Sequence, residues 1–237
     1  MRGNETGGYG LETPQDVLAW AVERYGDRVA LASSFGAEDV VLIDMLSRVR
    51  PGARVFTIDT GRLPEETYRT MDEVRERYDI RLEVYFPDNE QVESMVEKYG
   101  FNLFRESIEL RKLCCEVRKV RPLNRALRDL DAWICGLRRE QSVTRLSVEC
   151  VEVERRRVGE EEREIVKLNP LIDWSEEQVW NYIREKKVPY NALHDRGYPS
   201  IGCHPCTRAV KPGEDVRSGR WWWEPPEKKE CGLHCKG

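Results

Sequence analysis

The chain has 237 residues, of which 35% are charged, and its formal net charge at pH 7 is only −4. This length can bury one substantial hydrophobic core without requiring two domains. The weak net charge argues against a nucleic-acid coat or a membrane-surface protein, and no stretch is apolar enough for a membrane span. Residues 1–10 contain no apolar run, so no signal peptide is visible and we expect a cytoplasmic protein.

Helices and strands alternate through the first 100 residues. Thr13 is a suitable N-cap for a helix with Pro14 at its first position, and Gly26 should close that helix. The apolar run 29–32 predicts a short buried strand. Later patterns predict helices at 38–50, 64–78 and 92–99 and strands at 55–58, 82–86 and 131–136. Alternation at this spacing predicts an α/β fold, with a parallel sheet covered by helices on both faces.

The second half of the chain is more polar. Residues 147–167 are charged and alternate in polarity around Gly159, which predicts an exposed hairpin. Ser175 should begin a helix, because two glutamates in the first turn are favourable at the positive end of a helix dipole. We therefore predict one α/β domain over residues 1–212 and a functional C-terminal tail over residues 213–237.

Two close pairs of cysteines stand far apart in the chain: Cys114 with Cys115, and Cys203 with Cys206. Folding could bring them together as a tetrahedral zinc site or an iron–sulfur cluster. Adjacent residues on a helix diverge, so neighbouring thiolates suit the separate iron corners of a [4Fe-4S] cluster better than one zinc ion. Lys119 follows on the same helical face and could place a cation between such a cluster and an anionic substrate; the alternative is a solvated basic helix.

A fifth cysteine, Cys231, lies near the end of the chain and is followed by His234 and Cys235. A thiolate near several cations has a lowered pKa and is nucleophilic. We predict that Cys231 is the nucleophile and that His234 assists it. The alternative is a small separate zinc site, for which a fourth ligand is not obvious.

Polar, glycine-containing loops follow the first two predicted strands. In an open α/β sheet the carboxyl ends of the strands share one edge, where free amides at helix N-termini bind anions. The two loops could together hold a phosphate, although each alone could be an ordinary turn. Their candidate binding residues are Ser33, Ser34, Gly36, Asp59, Thr60, Gly61 and Arg62.

Arginines recur beside glycines in later loops. Guanidinium groups give bidentate, charge-assisted contacts to phosphate and sulfate, whereas any single arginine could simply be a surface residue. The run Trp221–Trp223 could pack the tail on the body or bind a partner, and we favour packing. The candidate arginines are Arg138, Arg139, Arg145, Arg217 and Arg220.

Taken together, these motifs resemble the assimilatory sulfonucleotide reductases, specifically the iron–sulfur, thioredoxin-dependent adenylyl-sulfate reductases. The resemblance runs from Ser33 to His234 and implies an adenine-nucleotide alpha-hydrolase-like, Rossmann-like fold. Residues 33–39 look like a degraded pyrophosphatase loop, with one glycine where ATP-cleaving relatives carry two. The resemblance assigns no role to Cys235. The motifs are 33–39, 59–62, 114–119, 136–139, 203–206, 217–223 and 230–234.

The resemblance implies a function in assimilatory sulfate reduction and cysteine biosynthesis. The thiolate of Cys231 attacks the sulfur of adenosine 5′-phosphosulfate, AMP leaves, and thioredoxin (or glutaredoxin) frees sulfite from the S-sulfocysteine. The four paired cysteines would hold a [4Fe-4S] cluster, and Gly136 joins the substrate-binding residues. Lys119, Arg145, Arg217 and Arg220 would offset the repulsion between two anions.

Three other functions are compatible with the sequence. The nearest is a reductase of the 3′-phosphorylated nucleotide, or an enzyme with dual specificity. An ATP-dependent tRNA sulfur-insertion enzyme would need an intact pyrophosphatase loop and a basic RNA surface, and neither is evident. The third is a non-catalytic metal-binding module. We expect no membrane and no nucleic-acid partner, and a homo-oligomer stays open.

Overall fold

Six strands form one sheet in the order β3-β2-β1-β4-β6-β5 in the computed structural model, which describes residues 11–141, 145–158 and 161–225. Strands β3, β2, β1 and β4 run parallel to one another, and β6 runs parallel to its neighbour β4. The strands are β1 (Val29–Ala32), β2 (Ala53–Ile58), β3 (Ile80–Tyr85), β4 (Ala132–Ile134), β5 (Val151–Val158) and β6 (Glu161–Leu168).

Seven α-helices accompany the sheet in the described residues. They are α1 (Pro14–Tyr25), α2 (Ala37–Val49), α3 (Glu65–Arg77), α4 (Asn89–Tyr99), α5 (Ile108–Cys115), α6 (Arg121–Ala126) and α7 (Glu176–Lys186). The α/β class and the alternation of elements predicted from the sequence are confirmed, with boundaries that differ by a few residues. No helix in the described part of the chain combines the length and the apolar character needed to cross a bilayer.

Local sequence explains several of these helices. Thr13 and Asp16 form a capping box at the start of α1, where Pro14 occupies the first turn. By contrast, α2 is buried on most sides, as expected for a helix whose sequence is apolar all round. It lies in the largest of three buried hydrophobic clusters in the described residues. The sheet divides this cluster from the second: Leu31 and Val55 face the first, whereas Phe56 faces the second.

The polar segment after β4 differs from the exposed hairpin predicted for it. The predicted hairpin exists, because β5 pairs antiparallel with β6, but it does not stand away from the body. Instead β6 inserts beside β4, so the sheet is mixed rather than wholly parallel. Burial explains the difference: Ile165, Lys167 and Leu168 are almost completely buried, and the Lys167 ammonium lies 3.0 Å from a carboxylate oxygen of Glu154.

Helices α5 and α6 are joined without a break by a π-helical turn, Glu116–Val120. Its defining bond runs from the amide of Arg121 to the carbonyl of Glu116, five residues earlier. Such an insertion turns the following side chains relative to an α-helix and often occurs at functional sites. The two adjacent cysteines end α5, and Lys119 lies within the turn.

Candidate active site

A cavity of about 260 Å³ opens at the carboxyl ends of β1, β2 and β4. The loops that leave these strands form its walls, as the edge rule for parallel sheets predicts. The walls contain ten of the fourteen predicted substrate-binding residues. These ten are Ser33, Ser34, Gly36, Thr60, Lys119, Gly136, Arg138, Arg145, Arg217 and Arg220.

Five basic and three acidic side chains line this cavity, so positive charges are in excess, as expected of a site for an anion; the acidic ones are Glu38, Asp39 and Glu176. Arg138 is already engaged, because its guanidinium lies 2.8 Å from Glu38 and 3.2 Å from Glu140. Arg220 is buried and approaches the backbone so closely that a β-carbon on Gly202 would lie 2.3 Å from its Nη2 atom. Gly202 therefore belongs to the site for steric reasons, which the sequence pattern did not reveal.

The loop after β1 differs from the predicted phosphate cradle, because a side chain already occupies it. Asp39 Oδ2 accepts hydrogen bonds from the amide of Ser34 at 2.6 Å, from its hydroxyl at 2.8 Å and from the amide of Gly36 at 3.4 Å. Burial raises the pKa of Asp39 to about 6. The predicted motif 33–39 includes Asp39 but gave it no role, although an acid three residues after an N-cap glycine is a capping signal.

Four predicted binding residues lie outside the cavity. Asp59 accepts hydrogen bonds from the amide of Gly61 at 2.8 Å and from the hydroxyl of Tyr68 at 3.0 Å, so it stabilises its own loop. Arg139 forms an ion pair with Asp173 at 2.8 Å and donates to the backbone carbonyl groups of the following loop. Arg62 lies over the ring of Phe104 and lines a different cavity.

That second cavity is small, and all four paired cysteines line it. Each of the four thiols is buried and none forms a disulfide. The hydroxyl of Thr60 lies 3.2 Å from the sulfur of Cys203. No group of three or more His, Cys, Asp or Glu side chains within the described residues is placed to hold a metal ion. The basic residues that line the cavity are Arg62, Arg111, Arg118 and Lys119.

The thiols differ in their tendency to ionise. Burial raises the pKa of Cys114 and raises that of Cys206 to about 12. Burial also acts to raise the pKa of Cys203, but Lys119, the Thr60 hydroxyl and nearby arginines outweigh it, so the pKa lies below its ordinary value. The donor chemistry fits an iron–sulfur cluster, because four buried thiols free of disulfides share one cavity with cations that offset thiolate charge. The thiols of a cluster bind separate irons, so they need not surround one metal ion, and no three of them do so here.

Two residues line both cavities: Lys119 and Trp221. The π-helical turn gives Lys119 this position, directly beyond the cysteines that end α5. Trp221 is buried, whereas Trp222 is 39% exposed and Trp223 packs on Phe104. For Trp221 and Trp223 the structure agrees with packing of the tail on the body.

The predicted nucleophile Cys231, its helper His234 and the neighbouring Cys235 lie outside the described residues. So do residues 142–144, in the loop between Arg139 and Arg145, and Gly159 of the hairpin. The roles predicted for Cys231 and His234 therefore stay predictions.

Comparison with known proteins relates the chain to one family. Residues 28–209 match the model of the phosphoadenosine phosphosulfate reductase domain. The adenosine 5′-phosphosulfate reductase of Allochromatium vinosum is 50% identical over 208 residues, which are 88% of this chain and 79% of the relative. The enzyme of the same name from Burkholderia cepacia is 52% identical over 224 residues, covering 94% of this chain and 87% of the relative.

Solved structures agree. The phosphoadenylyl-sulfate (PAPS) reductase of Candida auris, in a phosphate complex, superposes with a TM-score of 0.69 at 32% identity, covering 84% of this chain and 90% of that one. An FMN adenylyltransferase of Candida glabrata, in complex with FMN and an ATP analogue, superposes with a TM-score of 0.55 at 13% identity, covering 86% of this chain and 66% of that one. At that identity the second likeness concerns the fold alone.

Proposed function

The chain belongs to the phosphoadenosine phosphosulfate reductase domain family, and from this premise we propose that it reduces adenosine 5′-phosphosulfate to sulfite and AMP. The chain is an oxidoreductase, as are the relatives it matches over most of its length. Those relatives are named for the unphosphorylated nucleotide, which is why we favour it.

One observation carries the proposal: the cavity at the carboxyl edge of the sheet is lined by five basic residues and touches the four-cysteine cavity through Lys119. A phosphosulfate is anionic, and so is a thiolate that attacks it. Positioned cations lower the barrier to such a reaction, because they are already in place when negative charge concentrates in the transition state. Removing one positioned contact of this kind costs on the order of 10²-fold in rate.

In the proposed reaction, the thiolate of Cys231 attacks the sulfur of the sulfate group. An S–S bond forms, the bond from that sulfur to the phosphate oxygen breaks, and AMP leaves with the electron pair. Lys119, Arg217 and Arg220 are proposed to hold the phosphosulfate, as cations do in phosphoryl transfer. His234 is proposed to help ionise the thiol or to orient it.

A dithiol protein of the thioredoxin or glutaredoxin type is proposed to complete the cycle. One of its thiolates attacks Sγ of Cys231 in the S-sulfocysteine, so that the S–S bond to the sulfonate breaks, sulfite leaves with the electron pair and a mixed disulfide forms. Its second thiol then releases Cys231 and leaves the reductant as a disulfide. The two electrons that convert the sulfate-level sulfur to sulfite thus come from the dithiol.

We propose that Cys114, Cys115, Cys203 and Cys206 hold a [4Fe-4S] cluster, since these four thiols line one cavity. When bound, the cluster would supply an electrostatic and organising influence beside the substrate. The chain's own contribution is clear from its residues: Lys119 faces both the cysteines and the nucleotide cavity, and Thr60 contacts Cys203 from the loop after β2.

A second candidate is reduction of the 3′-phosphorylated nucleotide, alone or with dual specificity. It is favoured by the likeness to the Candida auris PAPS reductase, which at 32% identity extends beyond the fold. Measuring kcat/KM for both nucleotides with the same enzyme preparation distinguishes the candidates. A preference for the unphosphorylated nucleotide is expected.

Intact-protein mass spectrometry tests the chemistry. After mixing with adenosine 5′-phosphosulfate and no reductant, we expect one added SO₃ group on Cys231 and release of one AMP. Cys231→Ser should give neither product while retaining its iron, and Cys235→Ser is the matched control that should still form the adduct. An adduct on Cys231→Ser, or sulfite released by it at the wild-type rate, would refute the proposed nucleophile.

A further inference from the structure

A buried ion pair joins α5 to Glu224, which lies within the predicted tail seven residues before Cys231. Arg111 Nε donates to Glu224 Oε1 at 3.0 Å, and Arg111 Nη2 donates to Glu224 Oε2 at 2.8 Å. The two side chains are 0% and 2% exposed. A two-point guanidinium–carboxylate contact defines direction as well as distance, and burial excludes competing water. Glu224 is therefore fixed relative to α5.

Trp221 completes this arrangement. Two guanidinium groups lie over its ring, that of Arg111 at 4.8 Å and that of Arg220 at 4.9 Å from the ring centroid. Its amide donates to the carbonyl of Cys206, and its own carbonyl accepts from the amide of Glu224 at 2.8 Å. The backbone φ of Trp221 is 39°, a conformation that a bulky residue adopts only when its surroundings impose it.

The position of these residues links three parts of the molecule. Arg111 lies on the helix that carries Cys114 and Cys115, and it lines the cysteine cavity. Trp221 lines that cavity and the nucleotide cavity. The anchoring point of the tail is thus adjacent to the cations that we propose to bind the phosphosulfate.

Chain length then limits the nucleophile. Cys231 follows Glu224 by seven residues, which span at most about 25 Å when fully extended. A reacting group on so short a tether acts at a high effective concentration, provided that its root is fixed. Cys231 can therefore lie no farther than this distance from Glu224.

We propose that Arg111, Trp221 and Glu224 form a clamp that positions Cys231 by fixing the root and the direction of the tail. This inference rests on the proposed function of Cys231. The three are positioning residues, because they act through the tail and not on the reacting atoms. The clamp should affect formation of the adduct and leave affinity for the nucleotide and retention of iron nearly unchanged.

If the clamp acted only by shortening the tether, its loss would change the rate of adduct formation very little. Without the Arg111–Glu224 pair, the nearest upstream contact in the described residues is the packing of Trp223 on Phe104, which lengthens the tether from seven to eight residues. Because effective concentration falls roughly as the −3/2 power of length, this change costs well under two-fold. If the clamp also sets the direction of the tail, its loss should slow adduct formation about ten-fold or more, since misaligned reactants lose most of the benefit of proximity.

Two variants break the clamp in different ways. Glu224→Gln keeps the shape and leaves Arg111 beside the cysteines. Glu224→Asp keeps a carboxylate beside Arg111 but shortens the side chain, so the two-point contact is lost and no buried charge is left without a counter-charge. The matched control is Glu83→Gln, which breaks the partly buried Arg54–Glu83 pair (9% and 16% exposed) between β2 and β3, whose residues line neither cavity.

Four quantities are measured on the iron-loaded proteins: iron content, affinity for AMP, the single-turnover rate of adduct formation, and hydrogen exchange of residues 221–225. Both clamp variants should form the adduct about ten-fold more slowly and lose amide protection at 221–225. Iron content and AMP affinity should stay within two-fold of wild type. The control should match wild type in all four.

Three results would overturn the inference. Adduct formation within two-fold of wild type despite lost protection would show that the clamp does not direct the tail. Retained protection in both variants would show that it does not anchor the tail. Loss of iron would place its role at the cysteine cavity. Failure of the proposed function can be distinguished from failure of this inference, because the wild-type protein itself would then form no adduct on Cys231. That result would also remove the clamp's role in positioning Cys231.

Discussion

A β-carbon at Gly136 would lie 2.4 Å from Oδ1 of Asp39 and 3.0 Å from the β-carbon of Glu38. The loop after β4 thus touches the first turn of α2 so closely that no side chain fits between them. This contact holds the Asp39 carboxylate over the amides of Ser34 and Gly36. Two loops that are 100 residues apart in the chain therefore form one wall of the nucleotide cavity.

Substituting Gly136→Ala should force these loops apart. Overpacking of this kind costs about 1–3 kcal/mol in the free energy of unfolding. We expect that loss in chemical denaturation and at least a several-fold weaker affinity for AMP by calorimetry. Gly52→Ala is the control, because a β-carbon there contacts nothing within 4 Å, although its φ of 72° strains the backbone. Equal AMP affinity in the two variants would refute the steric explanation.

Asp39 should contribute a pH dependence to stability. Burial raises its pKa in the folded protein from 3.8 to about 6. A carboxyl group with a raised pKa contributes stability below its unfolded pKa, and that contribution is lost as the pH rises through about 6. Asp39→Asn carries no such titration. The stability of Asp39→Asn relative to wild type should therefore increase between pH 4 and pH 7, by about 3 kcal/mol at most.

This prediction is measured by urea denaturation of both proteins across the pH range, with the difference between them as the quantity of interest. Asp16→Asn provides the comparison, because Asp16 is solvent-exposed at the start of α1 and its pKa is lowered by Thr13. A pH-independent difference between Asp39→Asn and wild type would show that the carboxyl group titrates normally.

The cysteine cavity makes a prediction about iron. Cys203→Ser should lose most of its iron, because one of four proposed ligands is gone and the hydroxyl of Thr60 loses its sulfur partner. Cys135→Ser is the matched control: this thiol is equally buried but lines the nucleotide cavity and not the cysteine cavity. Iron analysis and the visible absorption spectrum are the measurements. Unchanged iron in Cys203→Ser would contradict the proposed ligand set.

Lys119 should matter for the chemical step. Lys119→Met removes the charge that faces both cavities while keeping most of the side-chain volume, so adduct formation should slow on the order of 10²-fold. The control is Lys112→Met: Lys112 lies on α5, is exposed and lines neither cavity. This variant should form the adduct at the wild-type rate. Rapid-quench mass spectrometry gives both rates. Similar rates for the two variants would mean that the charge of Lys119 has no special position.

Much of the fold followed from local patterns. The capping residues of α1 and the apolar run of β1 act within a few residues, so the sequence predicted these elements closely. Glycine-containing loops after β1 and β2 were expected at one edge because parallel strands place their carboxyl ends together, and Ser33 and Thr60 both line the cavity there. The grouping of the two cysteine pairs followed from their chemistry.

Only the tertiary structure decided which neighbours share a role. Arg138 and Arg139 are adjacent in sequence and equally basic, yet Arg138 lines the nucleotide cavity while Arg139 binds Asp173. Likewise, the charged residues of β6 suggested an exposed hairpin, but Lys167 is buried beside Glu154. Charge alone does not reveal burial, because a distant partner can compensate for the lost water. Such partners, including Asp173 for Arg139 and Glu224 for Arg111, are set by long-range packing that local sequence does not encode.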